Sequence, residues 1–287
     1  MKVKKRIIAF GVLAIALVIA IGFTVASNLD NKLKEVKVAK AFVMNLKDKG
    51  IIDTELNLDE VEFKSISKLA NKNSKTQYTV MAENIGIDLN SEYVVTGFSK
   101  KVELDSQNRS VIESNIIDEE SAIEIAEEYV NEITDEKFSF KEIRKVNDEE
   151  NDSDTHVIVF YKYFKNYPYY DNEIVVSINK TSGKLESYIN QSINDVKHNL
   201  KKYIKVDEAK NIALNYFAKL NQEAEIVEEP LLAIIAGVND DFELSYVVNI
   251  KTKNIDGKED KYKLFINSES GEVLNRAVDV IETSRSN

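Results

Sequence analysis

The chain has 287 residues, of which 43% are apolar and 30% are charged, with only nine glycines and two prolines. This composition excludes a disordered or collagen-like protein, and the length predicts several modest domains. The formal net charge of −11 predicts an acidic surface, which repels phosphate backbones, and the sequence has no basic stripe with interleaved aromatics to offset it. Nucleic acid is therefore not an expected partner, whereas cations and basic protein segments are.

An uncharged N-terminal segment is the first predicted element. It covers residues 7–26, from Ile7 to Ala26, and four basic residues precede it. A helix that rises about 1.5 Å per residue crosses a hydrocarbon core of roughly 30 Å over this length. Because the basic residues come first, we expect a single-pass cell-membrane protein with a cytoplasmic N-terminus and an extracytoplasmic C-terminal bulk. The alternative is a secretory signal that is cleaved near Ser27, which leaves a secreted protein.

Three later stretches share one apolar pattern, which predicts three related helices. Apolar residues recur at i, i+1, i+4, i+5 and i+8 from Val38, Ile125 and Ile212, so the stretches are offset by 87 residues. This spacing places an apolar stripe on one helix face, and the alanine at the second position lets that face approach a sheet closely. Asp118 and Asp207 are the expected N-caps of the second and third helices.

After each helix the apolar period falls to two residues, which predicts strands. In the middle unit we expect them at residues 138–146, 156–164, 173–178 and 184–189. In the third unit they are expected at 231–236, 243–250, 262–266 and 272–276. The first unit has weaker strand patterns at 61–70, 77–82, 85–89 and 93–98.

The last two strands of each unit are expected to form a hairpin. In the second and third units the turn ends in Gly183 and Gly271, since glycine readily adopts the positive φ that closes such a turn. In the first unit Asn90-Ser91-Glu92 takes the place of the glycine turn, so this unit is interpreted as a degenerate repeat.

The third unit ends in Ile-Asn-Ser-Glu-Ser-Gly-Glu-Val-Leu at residues 266–274. With the preceding helix and strands, this ending resembles the PepSY family. The middle unit, with Tyr-Pro-Tyr-Tyr at 167–170 and Ser-Gly-Lys at 182–184, also looks like the related propeptide domains of thermolysin-type proteases. The resemblance covers residues 118–281 well and residues 33–104 loosely. It brings no catalytic motif, and it implies a role in inhibiting, chaperoning or localising a peptidase or another envelope protein.

The expected fold class is therefore α+β, in which an N-terminal transmembrane helix precedes tandem PepSY-like units, each a helix packed on a small antiparallel sheet. The expected domains are a basic tip and anchor over 1–27, a degenerate unit over 28–104, and two further units over 118–190 and 205–281.

The residues that carry most enzyme chemistry are scarce in this chain. It has no cysteine and only two histidines, His156 and His198, both of which are expected at the surface. Two isolated histidines cannot form a His-Glu-x-x-His zinc helix, and no phosphate loop, dinucleotide fingerprint or Gly-x-Ser-x-Gly elbow is present. We therefore expect no catalytic residue, no cofactor and no built-in metal site.

An acidic cluster in the middle unit could supply oxygen ligands to calcium, and its members are Asp148, Glu149, Glu150, Asp152 and Asp154. The cluster lacks the loop glycine and the closing glutamate of an EF-hand. The alternative to a calcium site is the solvated tip of a hairpin.

A run of tyrosines is the most distinctive local feature, and it comprises Tyr161, Tyr163, Phe164, Tyr167, Tyr169 and Tyr170. Alternate positions of a strand would place several rings on one face. One interpretation is core and edge packing. The other is a recognition surface, in which rings give contact area and an open sheet edge accepts a partner strand, with Tyr163, Tyr167 and Tyr169 as the expected partner-binding residues.

Three functions remain open from the sequence. The first is a membrane-anchored, extracytoplasmic, non-enzymatic module that inhibits, chaperones or localises an envelope peptidase or cell-wall enzyme. The second is a structural or cation-responsive sensory ectodomain. The third is a hydrolase that uses paired carboxylates, because 49 acidic residues make such pairs inevitable.

Overall fold

The computed structural model describes residues 33–54, 57–58, 60–68, 76–101, 116–145, 154–191, 193, 196–220, 222–237, 241–253 and 259–279. The expected anchor at 7–26, the cleavage position at Ser27 and all of the acidic cluster except Asp154 lie outside these residues. Within the described ranges, no helix is both long enough and apolar enough to span a membrane. The described part of the chain therefore gives no support to the expected transmembrane helix, or to the single-pass membrane location inferred from it.

Three helices occupy the stretches where the sequence predicts them, and their bounds are α1 Lys34–Asp48, α2 Glu119–Ile133 and α3 Val206–Ala218. Asp118 caps α2 as predicted, since its carboxylate accepts a hydrogen bond of 2.8 Å from the Ser121 amide. The predicted cap at Asp207 is wrong: the N-cap of α3 is Lys205, which makes no side-chain capping bond. Asp207 instead lies in the first turn, where a carboxylate suits the helix dipole.

Twelve of the described strands follow the predicted order, whereas β9 and β10 were not predicted. The bounds are β1 Lys64–Lys68, β2 Tyr78–Ala82, β3 Ile85–Leu89, β4 Val95–Lys100, β5 Phe138–Arg144, β6 Thr155–Phe164, β7 Tyr167–Asn179, β8 Leu185–Asn190, β9 His198–Asn199, β10 Glu223–Ile226, β11 Leu231–Ala236, β12 Phe242–Lys253, β13 Glu259–Asn267 and β14 Val273–Asp279. β7 begins six residues before the predicted start, because the segment around Pro168 continues the strand to its turn.

All the described strands belong to one sheet of fourteen strands. The first eight strands form an antiparallel part in the order β1-β2-β3-β4-β8-β7-β6-β5. The other six strands are built on β12, which pairs with β9, β10, β11 and β13, while β14 pairs with β13. The two parts meet where β7 and β11 run parallel, with Tyr169 opposite Ile234.

The expected fold of separate units, each a helix on its own small sheet, is therefore wrong. The final strands of the first two units, β4 and β8, pair with each other at Gly97 and Ile189, Phe98 and Tyr188, and Ser99 and Ser187. An open edge leaves main-chain donors and acceptors unpaired, and joining two edges satisfies them. The expected domain boundaries remain a prediction.

The helices bury the alanines that the pattern singled out. Ala39, Ala126 and Ala213 are all fully buried. α1 and α2 share one apolar core on the same face of the eight-stranded part, whereas α3 covers a second core with Tyr246 and Leu264. Thus the first two units share a core although the sequence repeats them separately.

The predicted glycine turns are present. Gly183 and Gly271 have φ values of 71° and 76°. The turns are closed by the side chains of Asn179 and Asn267, each of which accepts hydrogen bonds from two following amides. In the first unit Tyr93, at φ 66°, adopts the left-handed conformation after the shorter turn.

Candidate protein-binding site

β5 forms an edge of the sheet, since within the described residues it pairs with β6 alone. Just before the strand, the Lys137 carbonyl accepts a hydrogen bond of 3.1 Å from the Tyr163 amide. In an antiparallel pair, hydrogen-bonded positions alternate with positions whose main-chain groups point to the other side. The N–H and C=O groups of Phe138 and Phe140 therefore point away from β6, toward the open edge.

A groove lies between this edge and α2, with a volume of about 440 Å³. Its lining consists of Glu127, Asn131, Glu136, Lys137, Phe138, Ser139 and Phe140. The rings of Phe138 and Phe140 pack edge-on against the buried ring of Phe160, with centroid distances of 5.3 and 6.5 Å. Phe140 keeps 39% of its surface exposed, so the groove has an accessible aromatic floor.

The helix above the groove is strongly acidic. α2 carries six glutamates and no lysine or arginine. Within the described residues only one of the six has an ion pair, which joins Glu132 to Lys49. The carboxylate of Glu127, which lines the groove and is half-buried, has no ion pair or hydrogen bond to another described residue.

The other glutamate of the groove is already paired. Lys162 is only 3% exposed, and its ammonium lies 3.0 Å from Glu136 Oε2 and donates a hydrogen bond of 3.1 Å to the Gln191 carbonyl. The second carboxylate oxygen of Glu136 accepts from the Asn190 amide at 3.1 Å. Glu136 therefore serves the buried lysine, and Glu127 is the unpaired acid of the groove.

On the opposite face of the sheet, the charges beside β5 are balanced. Glu173 binds both Lys141, at 2.5 Å, and Arg144, at 2.9 Å. Partial burial acts to raise the pKa of Glu173, but hydrogen bonds from the two cations outweigh it and hold the pKa below its usual value. This face consequently offers paired charges, whereas the α2 face offers an unpaired acid.

Of the predicted partner-binding tyrosines, Tyr163 lies beside β5. Its hydroxyl is 3.0 Å from the hydroxyl of Ser139, and the Lys137 ammonium lies 4.8 Å from the centre of its ring. Tyr167 is half-buried and packs on the junction between the two parts of the sheet, and Tyr169 is only 5% exposed inside that junction. The role of these tyrosines in partner binding remains a prediction.

The junction contains a stack of rings that the sequence did not indicate. His198 lies between Phe164 and Phe242, with centroid distances of 4.1 and 5.3 Å. Its Nε2 is 2.7 Å from the Tyr169 hydroxyl. Burial lowers the pKa of His198, although a hydrogen bond with the main chain of Val196 opposes this effect. His198, expected at the surface, thus joins β7 to β12.

His156, also expected at the surface, is buried. It is 9% exposed, and its Nε2 lies 2.7 Å from the carbonyl oxygen of Ile117. Both histidines therefore make structural contacts. Within the described residues, no group of three or more histidine or acidic side chains is placed to hold a metal ion.

Comparisons with known proteins identify the fold. The chain matches no protein-family model and no curated protein. Four chains of solved structures match it, and one is the Bacillus megaterium YpeB C-terminal domain. The two are 14% identical, with a TM-score of 0.54, over 87% of this chain and 99% of that chain. From the sequence, the expected anchored arrangement is similar to that of the spore germination protein YpeB, although this chain is shorter. The likeness that the structure shows is one of fold alone: this chain folds like the YpeB C-terminal domain.

Proposed function

We propose that this protein is a non-enzymatic binding module that holds an extended segment of another protein as an added strand beside β5. The observation that carries the proposal is the open edge of β5, where the main-chain groups of Phe138 and Phe140 point into a groove under α2. A peptide that pairs with such an edge gains main-chain hydrogen bonds, and adjacent pockets read its alternate side chains.

Three further points support this function over catalysis. The sequence carries no motif for a nucleophile or a cofactor. Both histidines make structural contacts, His156 with a carbonyl group and His198 within a ring stack. The fold is like that of the YpeB C-terminal domain. From the PepSY resemblance of the sequence, we propose an envelope peptidase or cell-wall enzyme as the partner that such a module inhibits, chaperones or localises.

The experiment is amide hydrogen exchange on the full chain with a library of extended peptides of about ten residues, which match or exceed the length of a typical strand. Strand addition should slow exchange at Phe138 and Phe140, whose amides point to the open edge. The amide of Ser139, which points toward β6, should change little. Peptides that bind without protecting Phe138 and Phe140, or a library without any binder, would contradict the proposal.

A matched pair of variants tests the main-chain contact itself. Phe140→Pro removes one outward amide donor, and proline is tolerated where an edge-strand amide faces solvent. Phe140→Ala removes the ring but keeps the donor. Since a net hydrogen bond contributes about 1 kcal/mol, Phe140→Pro should bind peptide about fivefold to tenfold more weakly than Phe140→Ala. Equal affinities would mean that the outward donor is not used.

A further inference from the structure

We infer that the segment held along β5 is basic, and that it carries lysine or arginine next to an apolar residue on the side that faces α2. This inference rests on the proposed function and adds the chemistry of the partner. The groove and the open edge define the site, and the distribution of charge around them selects the occupant.

Geometry first fixes which side chains of the partner enter the groove. Side chains of an added strand alternate between the two faces of the sheet. Those on the α2 face would lie next to Phe138 and Phe140, where directly opposed side chains on neighbouring strands come into contact. An apolar partner residue at one of these positions would cover the exposed part of the Phe140 ring, which is 39% accessible.

The next side chain of the added strand on the α2 face would lie close to the negative charges of α2. Glu120, Glu124 and Glu127 are spaced i, i+4 and i+7, so they form one stripe of the helix, and Glu127 lines the groove. Like charges four residues apart repel each other and weaken a helix. None of the three has an ion pair among the described residues, so a lysine or arginine of the partner would relieve this repulsion while it pairs with Glu127.

The cations near β5 do not neutralise this stripe. Lys162 is buried and paired with Glu136, Lys137 lies over the ring of Tyr163, and Lys141 is paired with Glu173. Lys137 also lines the groove, but its ammonium lies over the ring of Tyr163, so we expect an acidic partner residue on the α2 face to be repelled by Glu127. The same arrangement leaves the opposite face suited to small or neutral residues.

The test uses the full chain and three synthetic peptides, all of which carry threonine at the positions that would face away from α2. The positions that would face α2 carry phenylalanine together with lysine, glutamine or glutamate. The lysine peptide should bind at least about tenfold more tightly than the glutamate peptide, and added salt should reduce the difference, because screening weakens exposed charge pairs.

Variants of α2 locate the effect. Glu127→Gln should reduce the lysine preference, and Glu127→Lys should reverse it. Glu128→Gln is the matched control, because it removes the same charge from the same helix outside the groove lining. N-methylation of the peptide along the edge that pairs with β5 should abolish binding, whereas N-methylation along its other edge should not.

The outcomes distinguish the proposal of strand addition at β5 from the inference that the added segment is basic. If the three peptides protect Phe138 and Phe140 equally, and Glu127→Gln changes no affinity, the inference about basic segments is overturned while strand addition stands. If none of the peptides or library members protects these amides, both proposals fall.

Discussion

The hydroxyl oxygen of Tyr169 lies 2.7 Å from Nε2 of His198, at the point where the two parts of the sheet meet. Tyr169 belongs to β7 and faces Ile234 of β11, while His198 belongs to β9 and pairs with Phe242 of β12. One hydrogen bond therefore connects strands on both sides of the junction. Because Tyr169 is only 5% exposed and His198 is partly buried, losing this hydrogen bond should have a measurable effect.

Removing this hydroxyl should destabilise the protein. Tyr169→Phe leaves the ring in place but removes a partner of the partly buried His198, and a net hydrogen bond contributes about 0.5–1.5 kcal/mol. We expect a loss of this size in the free energy of unfolding measured with urea. Tyr167→Phe is the control, since its half-buried ring should tolerate the change to within about 0.5 kcal/mol. Equal losses in the two variants would contradict the role assigned to the Tyr169 hydroxyl.

The junction should also make stability depend on pH. Burial between the rings, assisted by the nearby charge of Lys165, lowers the pKa of His198 below the usual value of 6.5. As the pH falls through 6.5, the unfolded chain takes up a proton that the folded chain does not, so the folded state loses stability down to the folded pKa. The stability that is lost in this range is fully present above about pH 6.5.

The measurement is urea unfolding at several values of pH between about 8 and 5, the range that brackets the usual histidine pKa. His198→Phe keeps a ring in the stack but cannot titrate there. The difference in unfolding free energy between the wild type and His198→Phe should therefore move against the wild type as the pH falls. A difference that is constant with pH would show that His198 does not titrate differently in the two states.

The two equivalent glycine turns give a third prediction. A Cβ atom at Gly183 would lie 3.0 Å from Ile117 Cδ1, and one at Gly271 would lie 3.1 Å from Ile212 Cδ1. Both residues also have positive φ, which costs alanine of order 1–2 kcal/mol. Gly183→Ala and Gly271→Ala should lower the free energy of unfolding by more than this amount.

Gly50 separates the two causes. It has φ 66°, but its nearest neighbour would be the flexible ammonium of Lys184 at 3.9 Å. Gly50→Ala therefore reports the backbone cost alone, and calorimetry should show a smaller loss than at the two turns. If all three substitutions cost the same, the contacts with Ile117 and Ile212 contribute nothing.

These turns also show why much of the local structure could be predicted. The helical spacing of apolar residues predicted that the alanines lie on the buried faces of the helices, and the glycines marked turn positions that need positive φ. Such signals are local, because helix faces and turns depend on neighbours in the chain. The pairing of β4 with β8 and of β7 with β11 is not local. Apolar alternation sets which face of a strand is buried, but it does not say which edges join.

The candidate site was predictable only in part for the same reason. A strand over β5 followed from alternation, but its position at the edge depended on the long-range pairing of other strands. The tyrosine run was recognised, yet sequence alone could not tell that Tyr169 would turn into the junction. His198 lies in a polar connector without periodicity, so nothing marked it as the centre of a ring stack.

The last prediction concerns Lys162, which links stability to binding. Lys162→Met keeps most of the aliphatic stem and removes the ammonium that holds Glu136, whose side chain is 46% exposed and can be hydrated instead. We expect a loss of about 1–2 kcal/mol in the free energy of unfolding, because a hydrogen bond and a partly exposed ion pair are removed. Lys162→Ala also removes the stem and should cost more, about 3 kcal/mol.

The same substitution should strengthen the binding of basic peptides. Glu136 lines the groove, and without Lys162 its carboxylate becomes a second unpaired acid beside Glu127. Lys162→Met should therefore be less stable in urea unfolding and yet bind the lysine peptide more tightly in calorimetric titration. Lys137→Met removes a cation that lies over Tyr163 and should change stability by less than about 0.5 kcal/mol. If Lys162→Met instead weakens binding of the lysine peptide in proportion to its loss of stability, the prediction is wrong. Lys162 would then support the groove only structurally, and its pairing with Glu136 would not affect the binding of basic peptides.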